Sequence, residues 1–145
     1  TLTRSSAASD VYKRQLVDQD ANSFNSIMEA YKLPKDSDDN KKIRSKAIKD
    51  ATLYAAKIPL NIMIESYNSY HIIEFLAKDG NQNSLSDSGV ACLCVHAAIH
   101  GAYLNVRINL KDTSGGDDIM KKANKILNDS FFKKEKIMKL VEDKL

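Results

Sequence analysis

Nineteen consecutive residues in the middle of this chain, Ser88 to Val106, carry no formal charge, although 28% of the whole sequence is charged. A run of that length reaches the size of a membrane span. Its content argues against one. His96, His100, Asn105 and two glycines interrupt it, its apolar members are largely Ala and Cys, and no aromatic belt or one-sided basic cluster flanks it. The expectation is a central helix of about residues 87–109, buried on all sides by other helices and the most buried element of the fold. Gly89, Ala91, Ala97, Ala98, Gly101 and Ala102 would let neighbouring backbones approach it closely.

The segments around this run also read as helices. Val17, Phe24, Ile27, Met28 and Tyr31 recur at helical steps over residues 16–33, and Pro34 ends the pattern. Asp20 lies four residues before Phe24 and seven before Ile27, which places it on the apolar face. An acid aimed at a core needs a partner or a task. A second helix begins near Ser37, with Asp36, Asp38 and Asp39 at the positive end of its dipole. Its stripe is Ile43, Ala47, Ala51, Tyr54 and Ile58, and Pro59 is expected to kink or break it. Leu60 to Ala77 forms a third, largely apolar segment, with His71 as a core histidine. Ser84-Leu85-Ser86-Asp87 fits a capping box that opens the central helix. Asn105 and Asn109 line up with Gly101 in a narrow polar strip at its far end. After the loop Asp112–Gly116, two Lys-rich amphipathic helices carry the stripes Ile119, Ala123, Ile126, Leu127 and Ile137, Leu140, Val141. No strand pattern is found. The expected fold class is all-α, a multi-helix bundle.

Composition then narrows the function. With 43% hydrophobic residues in 145, the chain has material for one real core, which excludes a disordered tail. Of its net charge of +3, residues 1–15 hold +2. The rest is close to neutral and gives no electrostatic case for nucleic acid. Cys92 and Cys94 point about 200° apart on a helix, so they neither bridge nor chelate, and both read as small buried thiols. Nothing points to an oxidising compartment, and the first residues lack the apolar core of a signal peptide, so the expected location is cytoplasmic. His96 and His100 sit one turn apart without the Glu or third ligand of a zincin, and no metal is expected. Gly115-Gly116 follows no strand and lacks a Lys-Ser/Thr, so it is no phosphate loop.

Polar groups on apolar elements remain: Asp20, the Asn81–Asp87 loop and cap, and Asn105 with Asn109. Asp87 suits the positive end of a helix dipole, and Asp20 is a candidate proton donor. Read from the residues alone, this is a helical domain with a polar pocket. A non-catalytic helical interaction module, in which Asp20 and Asp87 are merely caps or ion pairs, stays open as the alternative.

Three blocks in order add a resemblance. They are Leu16 to Phe24 with Ala30-Tyr31-Lys32-Leu33-Pro34-Lys35, Arg44, Ala56 and Pro59-Leu60; then Gly80 to Ala91, which reads GNQNSLSDSGVA; then Gly101 to Leu110, GAYLNVRINL. Over residues 16–110 the chain resembles the cyclodeaminase/cyclohydrolase family of folate enzymes. The resemblance implies an all-helical homodimer acting on a one-carbon derivative of tetrahydrofolate, with no permanently bound cofactor and no nucleic-acid or membrane partner. Two activities fit it equally. One is methenyltetrahydrofolate cyclohydrolase, making 10-formyl- from 5,10-methenyl-tetrahydrofolate. The other is formimidoyltetrahydrofolate cyclodeaminase, which releases ammonia. Carried onto matching positions, it implies Asp20 and Asp87 as the acid/base and electrostatic pair, within about 10 Å of each other in one chain or across a dimer interface. Asn81, Ser86, Asn105 and Asn109 would orient the pterin, and Lys35 and Arg44 would meet the folate glutamate.

The family pattern begins earlier, with a helix and a Pro-Gly-Gly-Gly-Ser loop that this sequence does not show. In their place residues 5–15 read as translated sequencing adapter. Residues 1–15 are therefore expected to be non-native and to make few contacts, and residues 16–145 to be a partial domain. If the glycine loop contributes to the folate site, the chain as written is expected to be inactive and to bind folate weakly alone.

Overall fold

The computed structural model describes residues 2–145, with side chains described for Gln15 and residues 18–145. It is all-α. The helices are α1 (Leu2–Lys32), α2 (Asp38–Asn68), α3 (Tyr70–Asp79), α4 (Leu85–Leu110) and α5 (Asp117–Glu142), with a 3-10 turn, Gln82–Ser84, leading into α4. Of residues 1–15, expected to make few contacts, Gln15 is exposed, and the side chains of residues 1–14 lie outside the described ones.

α4 is the hub. It packs against α2, α3 and α5, while α1 packs on α2. The core is built where those elements meet: Leu60 and Met63 of α2, Tyr70 and Ile73 of α3, Cys92, Ile99 and Val106 of α4, and Ile137 and Val141 of α5. Burial of such side chains is the main stabilising term, roughly 1.5–3 kcal/mol each. Gly89 lets α5 close on α4, since a Cβ there would lie 3.3 Å from a Val141 methyl.

Several expectations hold in modified form. Ser37 caps α2 by accepting from the Asn40 N–H at 3.2 Å, with Asp38 and Asp39 in the first turn. Pro59 does not break that helix. Its side chain is fully buried and α2 runs on to Asn68, so packing from Ala55 to Met63 outweighs the lost backbone bond. The break comes instead at Ser69, where no Pro or Gly marks it. Consequently Leu60–Ala77 is divided between α2 and α3, and His71 is exposed with its Nδ1 at the Asn68 carbonyl. The capping box is not made. Ser84 caps nothing with its side chain, and Asn81 accepts from the Asn83 N–H at 3.0 Å to start the 3-10 turn. The two expected terminal helices are one continuous α5, because no breaker lies between Leu127 and Ile137.

The largest correction concerns α4 itself. About half of residues 87–109 are exposed, so this is not a helix buried on all sides. α2, α3 and α5 all lie to one side of it, covering Cys92, Ile99, Ala102 and Val106. The other side shows Val90 at 60%, Leu104 at 53% and Ile108 at 65% exposure. Cys92 is buried as expected and Cys94 is exposed, which follows from their opposite directions on the helix. The segment Gln82–Leu110 is long and apolar enough to cross a membrane by length and composition.

Candidate functional site

Asp20, Asn105 and Asn109 come together. α1 lies along α2 so that Ser23 and Ala30, small and seven residues apart, form its buried contact line, with Ile27 between them partly covered. This choice of face leaves Asp20 exposed and Phe24 62% exposed, where the sequence pattern placed both inward. The physical reason is that α1 packs chiefly on one helix, α2. Close packing on one neighbour selects its small residues, and the larger side chains are left at the edge. Asp20, Ser23, Phe24 and Ile27 line one wall of a cleft of about 170 Å³, and Asn105 and Asn109 of α4 line the other. Ser23 donates its hydroxyl to the Asp20 carbonyl at 2.7 Å, tying down the turn that carries the acid.

Asp87 lies elsewhere. It lines a second cleft, of about 400 Å³, with Leu76 of α3, Asn81 and Ser84 of the turn, and Ala91 of α4. Eighteen residues of helix separate Asp87 from Asn105, roughly 27 Å at 1.5 Å per residue. Within one protomer Asp20 and Asp87 therefore do not share a pocket. The expected pairing inside a single chain fails because the two acids meet opposite ends of α4.

The remaining candidates are dispersed. Ser86 is exposed on the first turn of α4 and Lys35 is exposed in the α1–α2 connection. Arg44 is already engaged. Its Nε and Nη2 donate to the Tyr31 carbonyl at 3.3 and 3.2 Å and its guanidinium lies 5.3 Å from the Tyr31 ring centroid. It clamps the end of α1 onto α2. Among the described residues no cluster of three His, Cys, Asp or Glu side chains could hold a metal ion.

Two features escaped sequence reading. Phe24 is a cleft wall and not a core residue; its position one turn from Asp20 was the available signal. The second is a buried polar chain, in which the Tyr70 hydroxyl lies 3.0 Å from the Ser130 Oγ and the His96 Nδ1 lies 2.9 Å from the same oxygen. Ser130 and Tyr70 are fully buried. Burial pushes the Tyr70 hydroxyl pKa up, and burial with Lys134 nearby pushes His96 below the usual histidine value. No substrate reaches Ser130. The chain pins α3, α4 and α5 together and is not a nucleophile with its base.

The Asp20 cleft offers a carboxylate for proton transfer, two carboxamides that both donate and accept, and an aromatic face. That set can exchange a proton with a planar polar group, hydrogen-bond its edge and stack on its face.

Comparison with known proteins places this geometry in context. The sequence profile of the formiminotransferase-cyclodeaminase family matches residues 3–128. The methenyltetrahydrofolate cyclohydrolase of Methylorubrum extorquens is 31% identical over 133 residues, covering 90% of this chain and 64% of that protein. The formimidoyltransferase-cyclodeaminase of Gallus gallus is 37% identical over 97 residues, 67% of this chain and 18% of that protein. The solved structure of formiminotetrahydrofolate cyclodeaminase from Thermotoga maritima superposes with a TM-score of 0.68 at 27% identity, covering 90% of this chain and 61% of that one. The chain thus spans less than two thirds of these relatives.

Proposed function

This chain belongs to the formiminotransferase-cyclodeaminase family, and on that premise we propose that it carries a folate one-carbon site, acting as a methenyltetrahydrofolate cyclohydrolase or a formimidoyltetrahydrofolate cyclodeaminase. The observation that supports the reading best is the meeting of Asp20 of α1 with Asn105 and Asn109 of α4 in one cleft, since two blocks of the family resemblance, far apart in sequence, converge there.

The chemistry asks for little more. In the cyclohydrolase, water adds to the methenyl carbon between N5 and N10 and gives up a proton to a base. The tetrahedral aminal then breaks its bond to N5, which takes a proton. In the cyclodeaminase, N10 attacks the formimidoyl carbon on N5 and the leaving nitrogen departs as ammonia after protonation. Both routes pass through a cationic amidinium and need a proton carrier beside it, a role for Asp20. Asn105 and Asn109 hold the pterin edge, and Phe24 covers its face. Asp87 and Asn81, in their own cleft at the other end of α4, would join this chemistry only where a second protomer brings them to Asp20. Ser86 and Lys35 stand free at the surface to meet the rest of the substrate, whereas Arg44 is committed to Tyr31.

The working form in this reading is a cytoplasmic homodimer that uses no resident cofactor and binds neither nucleic acid nor membrane. His96, His100 and Arg107 along α4, and the lysines of α2 and α5 packed beside it, support a helix that stays among other helices. The test is turnover of methenyl-tetrahydrofolate, followed by loss of its absorbance, and of formimidoyl-tetrahydrofolate, followed by ammonia release. Asp20→Asn is expected to lower whichever rate is found by about 10²-fold or more with helicity retained. Normal turnover by this variant would remove Asp20 from the chemistry.

A further inference from the structure

α3 is too short to hold itself in place. It has 10 residues, and isolated helices shorter than about 12–15 residues are marginal in water. Yet it builds one wall of the Asp87 cleft with Ile73 and Leu76, and it passes through Gly80 straight into Asn81 of the same wall. The facing wall, Asp87, Ser88 and Ala91, belongs to the first turns of α4, a helix anchored in the core by Cys92, Ile99 and Val106. The shape of the cleft therefore depends on what holds α3. Tyr70, Ile73 and Ala77 bury its inner face, but apolar contact is non-directional and leaves its last turn free to shift.

Polar contacts from the second half of α5 and the residues after it fix α3 at three levels. At its start the Tyr70 hydroxyl meets the Ser130 Oγ. In its middle Glu74, whose side chain is only 12% exposed, takes Lys133 at 2.6 Å and Lys136 at 2.9 Å. At its end the Lys144 ammonium donates to the Ala77 carbonyl at 3.0 Å and to the Lys78 carbonyl at 2.7 Å. Those two carbonyls lie in the last turn of α3, where the helix supplies no donor of its own. The helix dipole also places partial negative charge there, which favours a cation. Ser130, Lys133, Lys136 and Lys144 all lie beyond residue 128, where the match to the family profile ends.

We propose that the segment from Ser130 to Lys144 is a strut for the Asp87 cleft, and that Lys144 is a positioning residue that fixes the end of α3 and, through it, Asn81. The link between them is tight. Gly80 donates its N–H to the Leu76 carbonyl at 2.9 Å, and a Cβ at Gly80 would collide with that same oxygen, so only glycine fits this exit. Asn81 is held from the other side as well. Its Oδ1 accepts from the Asn83 N–H at 3.0 Å and its carbonyl from the Ser84 N–H at 2.9 Å. A shift of the last turn of α3 thus carries Asn81 with it and reshapes the cleft. Lys144 does not line the cleft and acts only through that wall. Its bearing on turnover rests on the function proposed above, in which Asn81 meets the substrate.

The test uses the full chain. Lys144→Met keeps the aliphatic stem and removes the ammonium, and Lys144→Arg restores a cation that can donate to both carbonyls. Amide hydrogen exchange in residues 80–84 should quicken about 10-fold in Lys144→Met and return to the wild-type rate in Lys144→Arg. The amides around Ile99 should stay unchanged in both. Lys144→Met should also raise KM for the folate substrate about 5-fold at nearly constant kcat, because Asp20 lies at the other end of α4. That rise should vanish when Asn81→Ala is already present, since Lys144 acts through Asn81. Unchanged exchange in residues 80–84 of Lys144→Met overturns the strut. So does exchange that quickens equally around Ile99, which would make Lys144 a residue of global stability. Local quickening with KM unchanged, or a KM rise that persists beside Asn81→Ala, overturns the positioning role toward substrate. A wild type that turns over no folate, with the exchange result as stated, overturns the proposed function and leaves the strut standing.

Discussion

Toward α5, α4 presents Cys92, Ile99 and Val106, all buried, and the polar atoms between the two helices are matched: Ser130 with His96 and Tyr70, and the Tyr103 hydroxyl donating to Asn124 at 2.9 Å. Toward α1 the same helix presents Asn105 and Asn109 across a gap, with Phe24 and Asp20 standing at the edge of solvent. One side is a closed interior and the other an open cleft. The difference follows from neighbours. α5 meets both α4 and α2, so its side chains have partners on two fronts, whereas α1 lies on α2 and its outward residues reach α4 only at one end. The buried core cluster is thus drawn from α2–α5, and the candidate acid Asp20 sits on α1, outside it. A loosely packed rim is where a substrate can enter without dismantling a core.

If that division is right, substitutions on the two sides should differ most in the closed interior. Ile99→Ala removes a fully buried side chain from the centre of α4 and is expected to lower unfolding free energy by about 2–5 kcal/mol, read from urea melts. A loss under 1 kcal/mol would place the core elsewhere. Next comes Ser130→Ala, which leaves the buried Tyr70 hydroxyl and the His96 ring without their shared partner. The expected loss is about 1–3 kcal/mol, with little change in folate turnover, since the chain is structural. A rate loss matching that of Asp20→Asn would show instead that the seam belongs to the site.

Acid titration sharpens the comparison further. His96 has its pKa depressed by burial, so the folded state resists its protonation. Its contribution to stability is complete at neutral pH and declines as pH falls below the ordinary histidine value of about 6.5. Glu74 of α3 is held by three lysines at 3.0, 2.6 and 2.9 Å, which keep its carboxyl well below the usual range. Its contribution is present above about pH 4.3 and is lost as pH falls further. Stability should therefore fall in two steps. Glu74→Gln should abolish the lower one, worth on the order of 1 kcal/mol after allowance for the partly exposed lysines. A single step unaffected by that change would remove the lysine cluster from the account. The smallest effect is expected at the rim. Phe24→Ala should change stability by under 0.5 kcal/mol in the isolated chain while raising the folate KM. A large loss of stability would mean that α1 is part of the core after all.

The sequence alone determined the secondary structure class and the family to which the chain belongs. Apolar steps of three and four residues, a Ser37 cap followed by aspartates, and the absence of alternation are local properties, and the helices formed where those signals lay. The blocks around Asp20, Asp87 and Asn105 were legible for the same reason, because a motif is a string. Where helices ended was less legible. Pro59 reads as a breaker, yet a proline inside a packed segment loses one bond and keeps many contacts, while Ser69 reads as nothing and divides α2 from α3. Tertiary structure decided which face of each helix is covered, and this no periodicity can state. A stripe such as Phe24, Met28 and Tyr31 says that a surface is sticky, but not whether a neighbour arrives. α1 turned its Ser23–Ala30 line to α2 because small side chains allow the closest approach, and so Asp20 came to face Asn105 and Asn109 and not the interior. Likewise the uncharged run of α4 is buried on one side only, since α2, α3 and α5 all take that side. The distance between Asp20 and Asp87 belongs to this second kind of information. It depends on where two helices cross, which the chain settles only when its nonlocal contacts form.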